Sequence, residues 1–119
     1  MRYMLLMCRD EKRWDEMSVE EKGTIYREAV EYSEARRSSG FYRGGEPLES
    51  TSTATTVRMK NGRAAITDGP FAETKEQLGG YTIVEAKDLD EVLAFVARHP
   101  LLRGGHTIEV RPIRVGPPR

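Results

Sequence analysis

The sequence predicts an α+β domain, a ferredoxin-like βαββαβ chain with an inserted β-hairpin and an antiparallel sheet that carries both helices on one face. Three observations predict it. Segments of period 2 and period 3.6 follow one another as strand, helix, strand, hairpin, strand, helix, strand. The first strand is apolar on both faces, which a sheet covered on one side only does not need. The third is a hairpin signal, Asn61-Gly62, between two β-rich runs. Together they predict two sheets packed face to face across a homodimer.

The elements follow in order. Residues 2 to 8 form the first strand, with Tyr3, Leu5 and Met7 on one face and Met4, Leu6 and Cys8 on the other. Ser18-Val19-Glu20-Glu21 is a capping box, so a helix starts at Val19. Tyr26, Ala29, Val30 and Ser33 share one face of it, and Gly40 is its stop. Residues 41 to 45 give a short strand that turns at Gly44-Gly45. Residues 55 to 60 and 63 to 67 pair through Asn61-Gly62. Residues 81 to 86 are the next strand. Asp88 caps the second helix, which places Val92, Phe95, Val96 and His99 on one face and ends at Pro100. Residues 107 to 113 are the last strand, with Pro112 at its edge. Residues 1 to 114 make one domain, and 115 to 119 read as a flexible tail.

Composition bounds the function. With 119 residues and 19 basic against 19 acidic side chains, the chain has no net charge, which argues against direct nucleic-acid binding. No apolar run approaches the roughly 20 residues needed to span a bilayer. The apolar start is cut short by Arg9-Asp10-Glu11-Lys12 with no cleavage site after it, and a single cysteine fits a reducing compartment. A cytoplasmic location is expected, with no cofactor.

The densest motif is the run from Asp68 to Tyr81, DGPFAETKEQLGGY. Asp68-Gly69-Pro70 is a forced turn, Phe71 is placed to pin it to the body of the protein, and Gly79-Gly80 lets a backbone approach closely. The ligand site is expected where Asp68, Gly69, Pro70 and Phe71 meet Gly79, Gly80, Tyr81, Gly44 and Gly45. Asp68 is the candidate proton carrier, or else an Asx-turn cap. His99 is read as a helix-end imidazolium favoured by the dipole, or as a second catalytic candidate from another element. His106 reads as a strand-entry residue, and two isolated histidines predict no metal site.

Cys8 beside Arg9 reads as a small core residue, although a neighbouring cation lowers a thiol pKa. Arg2, Arg43, Arg58 and Arg111 are placed to line an anion-binding cavity or to pair with Glu85 and Glu109. Tyr3, Tyr42 and Tyr81 could add hydroxyls. Trp14 is a lid, a partner contact or a cover over the first helix.

The stretches at residues 2–6, 44–48, 55–58, 67–81 and 109–113 resemble the DGPF proteins of the YCII-related family over residues 1 to 114. The resemblance implies a dimeric α/β barrel. It associates the wider group with a His–Asp pair, an occasional dehydrochlorinase, and genes beside extracytoplasmic-function sigma factors. The family histidine lies early in the first helix, and residues 19 to 36 contain none, so only Asp68 is matched. The expected function is a cofactor-free lyase or isomerase acting on a small anionic metabolite near Asp68. The alternative is a ligand-binding or accessory module that works with a sigma factor.

Overall fold

In the computed structural model, which describes residues 1–118, a four-stranded antiparallel sheet is built from β1 (Arg2–Arg9), β2 (Tyr42–Pro47), β5 (Gln77–Glu85) and β6 (Thr107–Pro112) in the order β2-β5-β1-β6. This is the ferredoxin-like order, with β1 and β5 central. A second sheet holds only β3 (Thr55–Lys60) and β4 (Arg63–Asp68). The helices are α1 (Glu11–Asp15), α2 (Val19–Glu34) and α3 (Leu89–Val96). No helix among the described residues is long and apolar enough to cross a membrane.

The core follows from the alternation of β1. Tyr3, Leu5 and Met7 are buried with Val84, Ala86, Val92 and Phe95, and Tyr32, Ile108 and Val110 pack against them. The two helices therefore cover one face of the sheet. Leu5, Val84 and Val92 lose all contact with solvent, each a gain of about 1.5–3 kcal/mol relative to exposure. Tyr32 of α2 donates its hydroxyl to the Phe95 carbonyl at 2.6 Å, tying the two long helices together. On the other face Met4, Leu6, Tyr81 and Ile83 are half-buried.

The helix starts are capped as their sequences require. Ser18 Oγ accepts from Glu21 N at 3.0 Å, and Asp88 Oδ1 accepts from Glu91 N at 3.0 Å. The Asn61-Gly62 turn has φ of 52° and 77°, the two positive values of a type I′ hairpin.

Several elements differ from the sequence reading, and β2 runs through Gly44-Gly45 to Pro47 rather than turning there. α2 stops at Glu34, not near Gly40, because residues 36 to 40 close i→i+3 turns such as Arg36 N to Ser33 O. β5 begins at Gln77, so Gly79 and Gly80 lie inside the strand rather than before it. α1 was not expected; Asp10 Oδ1 caps it by accepting from Lys12 N and Arg13 N. α3 ends at Val96, and Pro100–Gly104 forms a separate 3-10 turn, because proline is favoured at the start of a new helical turn and excluded from a continuing one.

The β3–β4 hairpin packs chiefly on itself. The chain has a radius of gyration of 16.3 Å, against roughly 13–14 Å for a compact domain of this length. Val57, Met59 and Ile66 are 61%, 73% and 72% exposed on this arm. Phe71, expected to pin the loop, is also exposed, at 77%. Gly69 at φ 97° carries the chain off the end of β4, and the bonds that hold the loop are local: Gly69 N to Ala54 O, Thr56 Oγ1 to Gly69 O, and Arg58 Nη2 to Phe71 O.

Candidate functional site

A cavity of about 150 Å3 opens under α2, at the end of the sheet where β1 and β2 finish and β5 begins. Its floor is backbone. A Cβ on Gly45 would sit 2.2 Å from the Tyr81 carbonyl oxygen, so β2 lies flush on β5 only with glycine there. A Cβ on Gly80 would reach 3.0 Å from the Glu46 carbonyl, and one on Gly79 would meet the Arg9 guanidinium at 3.2 Å. The glycine pair thus makes room for a cation and a neighbouring strand. The roof is Tyr26, Ala29, Val30 and Ser33, the α2 face read from the sequence. Trp14, Tyr42 and Met7 form the sides.

His99, His106 and Arg9 also line this cavity. His99 is 3% exposed and caps the Pro100–Gly104 turn: its Nδ1 accepts from Leu101 N at 3.2 Å, so the neutral ring carries its proton on Nε2. It stands edge-on to Tyr32 and Phe95, with ring centres 5.6 Å from each. Burial first, then His106 and Arg36, lower its pKa to about 4. The helix-end imidazolium expected from the sequence is therefore a neutral imidazole, because desolvation outweighs the helix dipole.

His106 is 6% exposed, lies edge-on to Trp14 at 4.9 Å, and has a buried Nδ1 with no hydrogen-bond partner. Burial and then Arg9 hold its pKa down to about 4, although the Leu101 and Gly104 carbonyls favour its charged form. Arg9 lies over Trp14, with its guanidinium 5.6 Å from the ring centre, and its Nε is buried without a partner. The site therefore holds two neutral imidazoles and an arginine whose Nε awaits an acceptor.

The position of Trp14 explains the local architecture. A Cβ on Gly104 would come within 2.8 Å of Trp14 Cζ3, so the indole seats directly on the 3-10 turn. α1 carries the indole and is anchored by Glu11, which accepts from Thr51 N at 2.8 Å and from Thr51 Oγ1 at 2.5 Å.

The residues singled out in the sequence divide into two groups. Gly45, Gly79, Gly80, Tyr81 and His99 meet in the cavity, while Gly44, Asp68, Gly69, Pro70 and Phe71 are not among its lining. Asp68 is exposed at the end of β4, paired with Thr55 on the arm, so the expected convergence on it does not form within one chain. Of the candidate arginines, Arg58 is committed to the Phe71 carbonyl and Arg111 lies 3.9 Å from Glu109. The Cys8 thiol is pushed up by burial first, then by Glu109 and Glu76. Sequence reasoning missed Arg9 and His106 as site residues. The signal was the pairing of His99 and His106 across a Pro-to-Gly-Gly turn, which brings two histidines back to one place.

Three comparisons place the chain among known proteins. The model of the YCII-related domain matches residues 1–115. The uncharacterised protein R00369 of Rhizobium meliloti (strain 1021) is 35% identical over 95 residues, covering 80% of this chain and 77% of that protein. A solved structure, 5-chloro-2-hydroxyhydroquinone dehydrochlorinase (TftG) from Burkholderia phenoliruptrix AC1100 in complex with 2,5-dihydroxybenzoquinone, aligns with a TM-score of 0.58 at 19% identity over 98% of this chain and 96% of that one. That likeness shows a shared ferredoxin-like fold. With the family model spanning nearly its whole length, the chain belongs to the YCII-related family.

Proposed function

We propose that this protein is an acid–base enzyme, a lyase or isomerase, acting on a one-ring organic anion bound in the cavity under α2. The observation that carries this reading is the convergence of Arg9 with two buried, neutral imidazoles on one ring-sized space. A cavity of about 150 Å3 has room for a molecule the size of benzene. Trp14, Tyr26 and Tyr42 offer faces for a planar ring, and Arg9 offers unpaired donors for an anionic oxygen.

The chemistry follows from the electrostatics. Burial keeps His106 uncharged. A bound anion beside it favours the imidazolium and raises its pKa toward the working pH, where proton transfer is efficient. His106 then takes a proton from the substrate. The electron pair left behind forms a double bond and expels a leaving group as an anion, or a proton returns at another ring carbon. Arg9 holds the charge that develops on oxygen.

Proton–deuterium exchange at the ring C–H positions of 2,5-dihydroxybenzoquinone tests this, because it reads proton transfer without a leaving group. The wild-type chain accelerates exchange, and His106→Gln removes the acceleration while the quinone still binds. Binding without accelerated exchange would make the protein a sensor rather than an enzyme.

The protein acts as a homodimer in this reading. The half-buried Met4, Leu6 and Ile83 on the sheet face opposite the core support it, as do the exposed apolar side chains of the arm. Sedimentation equilibrium should give twice the 13.5 kDa chain mass, and Leu6→Arg should return the single-chain mass.

A further inference from the structure

A second cavity, of about 390 Å3, lies on the far side of Arg9. Arg9, Arg13, Lys75 and Arg103 line it, together with Asp10, Glu76 and the Gly104-Gly105 backbone. Its acidic groups are already engaged: Asp10 caps α1, and Glu76 Oε1 accepts from Thr107 Oγ1 at 2.7 Å. Arg103 is paired with Glu28. Among the described residues Arg9, Arg13 and Lys75 form no ion pair. Arg9 belongs to the lining of both cavities, and its buried Nε has no partner.

We propose that the second cavity is an anion subsite that receives the carboxylate or phosphate substituent of a substrate whose ring occupies the first, with Arg9 as the shared wall. The inference rests on the ring-cavity reading above. It narrows the substrate class to one-ring compounds that bear a carboxylate or phosphate group. Arg13 and Lys75 reach the second cavity from α1 and from the loop before β5.

Calorimetric titration of the full chain tests it with three probes: inorganic phosphate, hydroquinone, and 2,5-dihydroxybenzoate, which is hydroquinone plus a carboxylate. The wild type binds phosphate saturably and prefers 2,5-dihydroxybenzoate over hydroquinone by about tenfold or more, as charge-assisted hydrogen bonds predict. Arg13→Gln with Lys75→Gln abolishes that preference and weakens phosphate by a similar factor, leaving hydroquinone binding within about twofold. Phosphate binding without any preference for the carboxylate would assign the cavity to a free anion and overturn the substituent claim. Loss of neither in the double variant would overturn the subsite. An equal loss in Lys60→Gln with Arg63→Gln, two cations at the arm tip, would reduce the effect to bulk electrostatics and overturn it as well. Phosphate binding with no hydroquinone binding would instead sink the ring-cavity reading and leave the basic cavity standing.

Discussion

The β3–β4 arm and the lower end of the four-stranded sheet are built on opposite terms. The arm is set by local chemistry: an Asn61-Gly62 turn with two positive φ values, a ladder between its own strands, and side-chain bonds that span at most 13 residues. Its apolar groups remain in solvent. The sheet end is set by distant chemistry, where Met7, Tyr42, Gly80 and His99 meet from four elements. A region held by local bonds acquires shape without a core. Only the region held by distant contacts desolvates its polar groups enough to change their protonation.

The sharpest way to break this contrast is core truncation. Leu5→Ala should lower the unfolding free energy by about 2–5 kcal/mol in urea titrations. An effect below about 1 kcal/mol would mean that the two regions share one level of packing.

Acid should separate the regions next. Burial holds His99 and His106 down to about 4, well below the ordinary imidazole value of 6.5. Between those values the unfolded chain binds more protons, so stability is complete above about pH 6.5 and falls as pH drops toward 4. Each histidine contributes on the order of 3 kcal/mol across that window. Urea midpoints from pH 7 to 4.5 should fall accordingly, and His106→Gln should remove about half of the slope.

On the arm, Gly62→Ala places a side chain at φ 77° and should cost about 1–2 kcal/mol. Hydrogen exchange should show that loss in residues 55 to 68 alone, and protection lost equally in β1 would join arm and body into one cooperative unit. Phe71→Ala is the smallest, within about 0.5 kcal/mol for the isolated chain. A larger cost that grows with protein concentration would place the ring in a contact between copies.

The order of elements was legible because each strand and helix carries its own period, caps and turns: Ser18, Asp88 and Asn61-Gly62 all act where their types predict. The glycine half of the site was legible for a related reason, since Gly45, Gly79 and Gly80 mark close backbone approach. Asp68-Gly69-Pro70-Phe71 stands apart from the cavity, on the arm and the loop after it, because local constraint does not say whether anything packs on a stretch. Arg9 and His106 were obscure because their roles come from burial, which for a polar side chain depends on elements far along the chain. The helix α1 is only 5 residues long, too short to show a period.

The projecting arm has a consequence for anyone who weighs this molecule by how fast it moves. A radius of gyration of 16.3 Å is that of a compact chain of roughly 190–200 residues. That lies between one copy and two. A sizing column sorts by hydrodynamic volume, so a lone chain would elute ahead of its true mass and be mistaken for a partly dissociating pair. Assembly in this protein has to be read from mass rather than from drag.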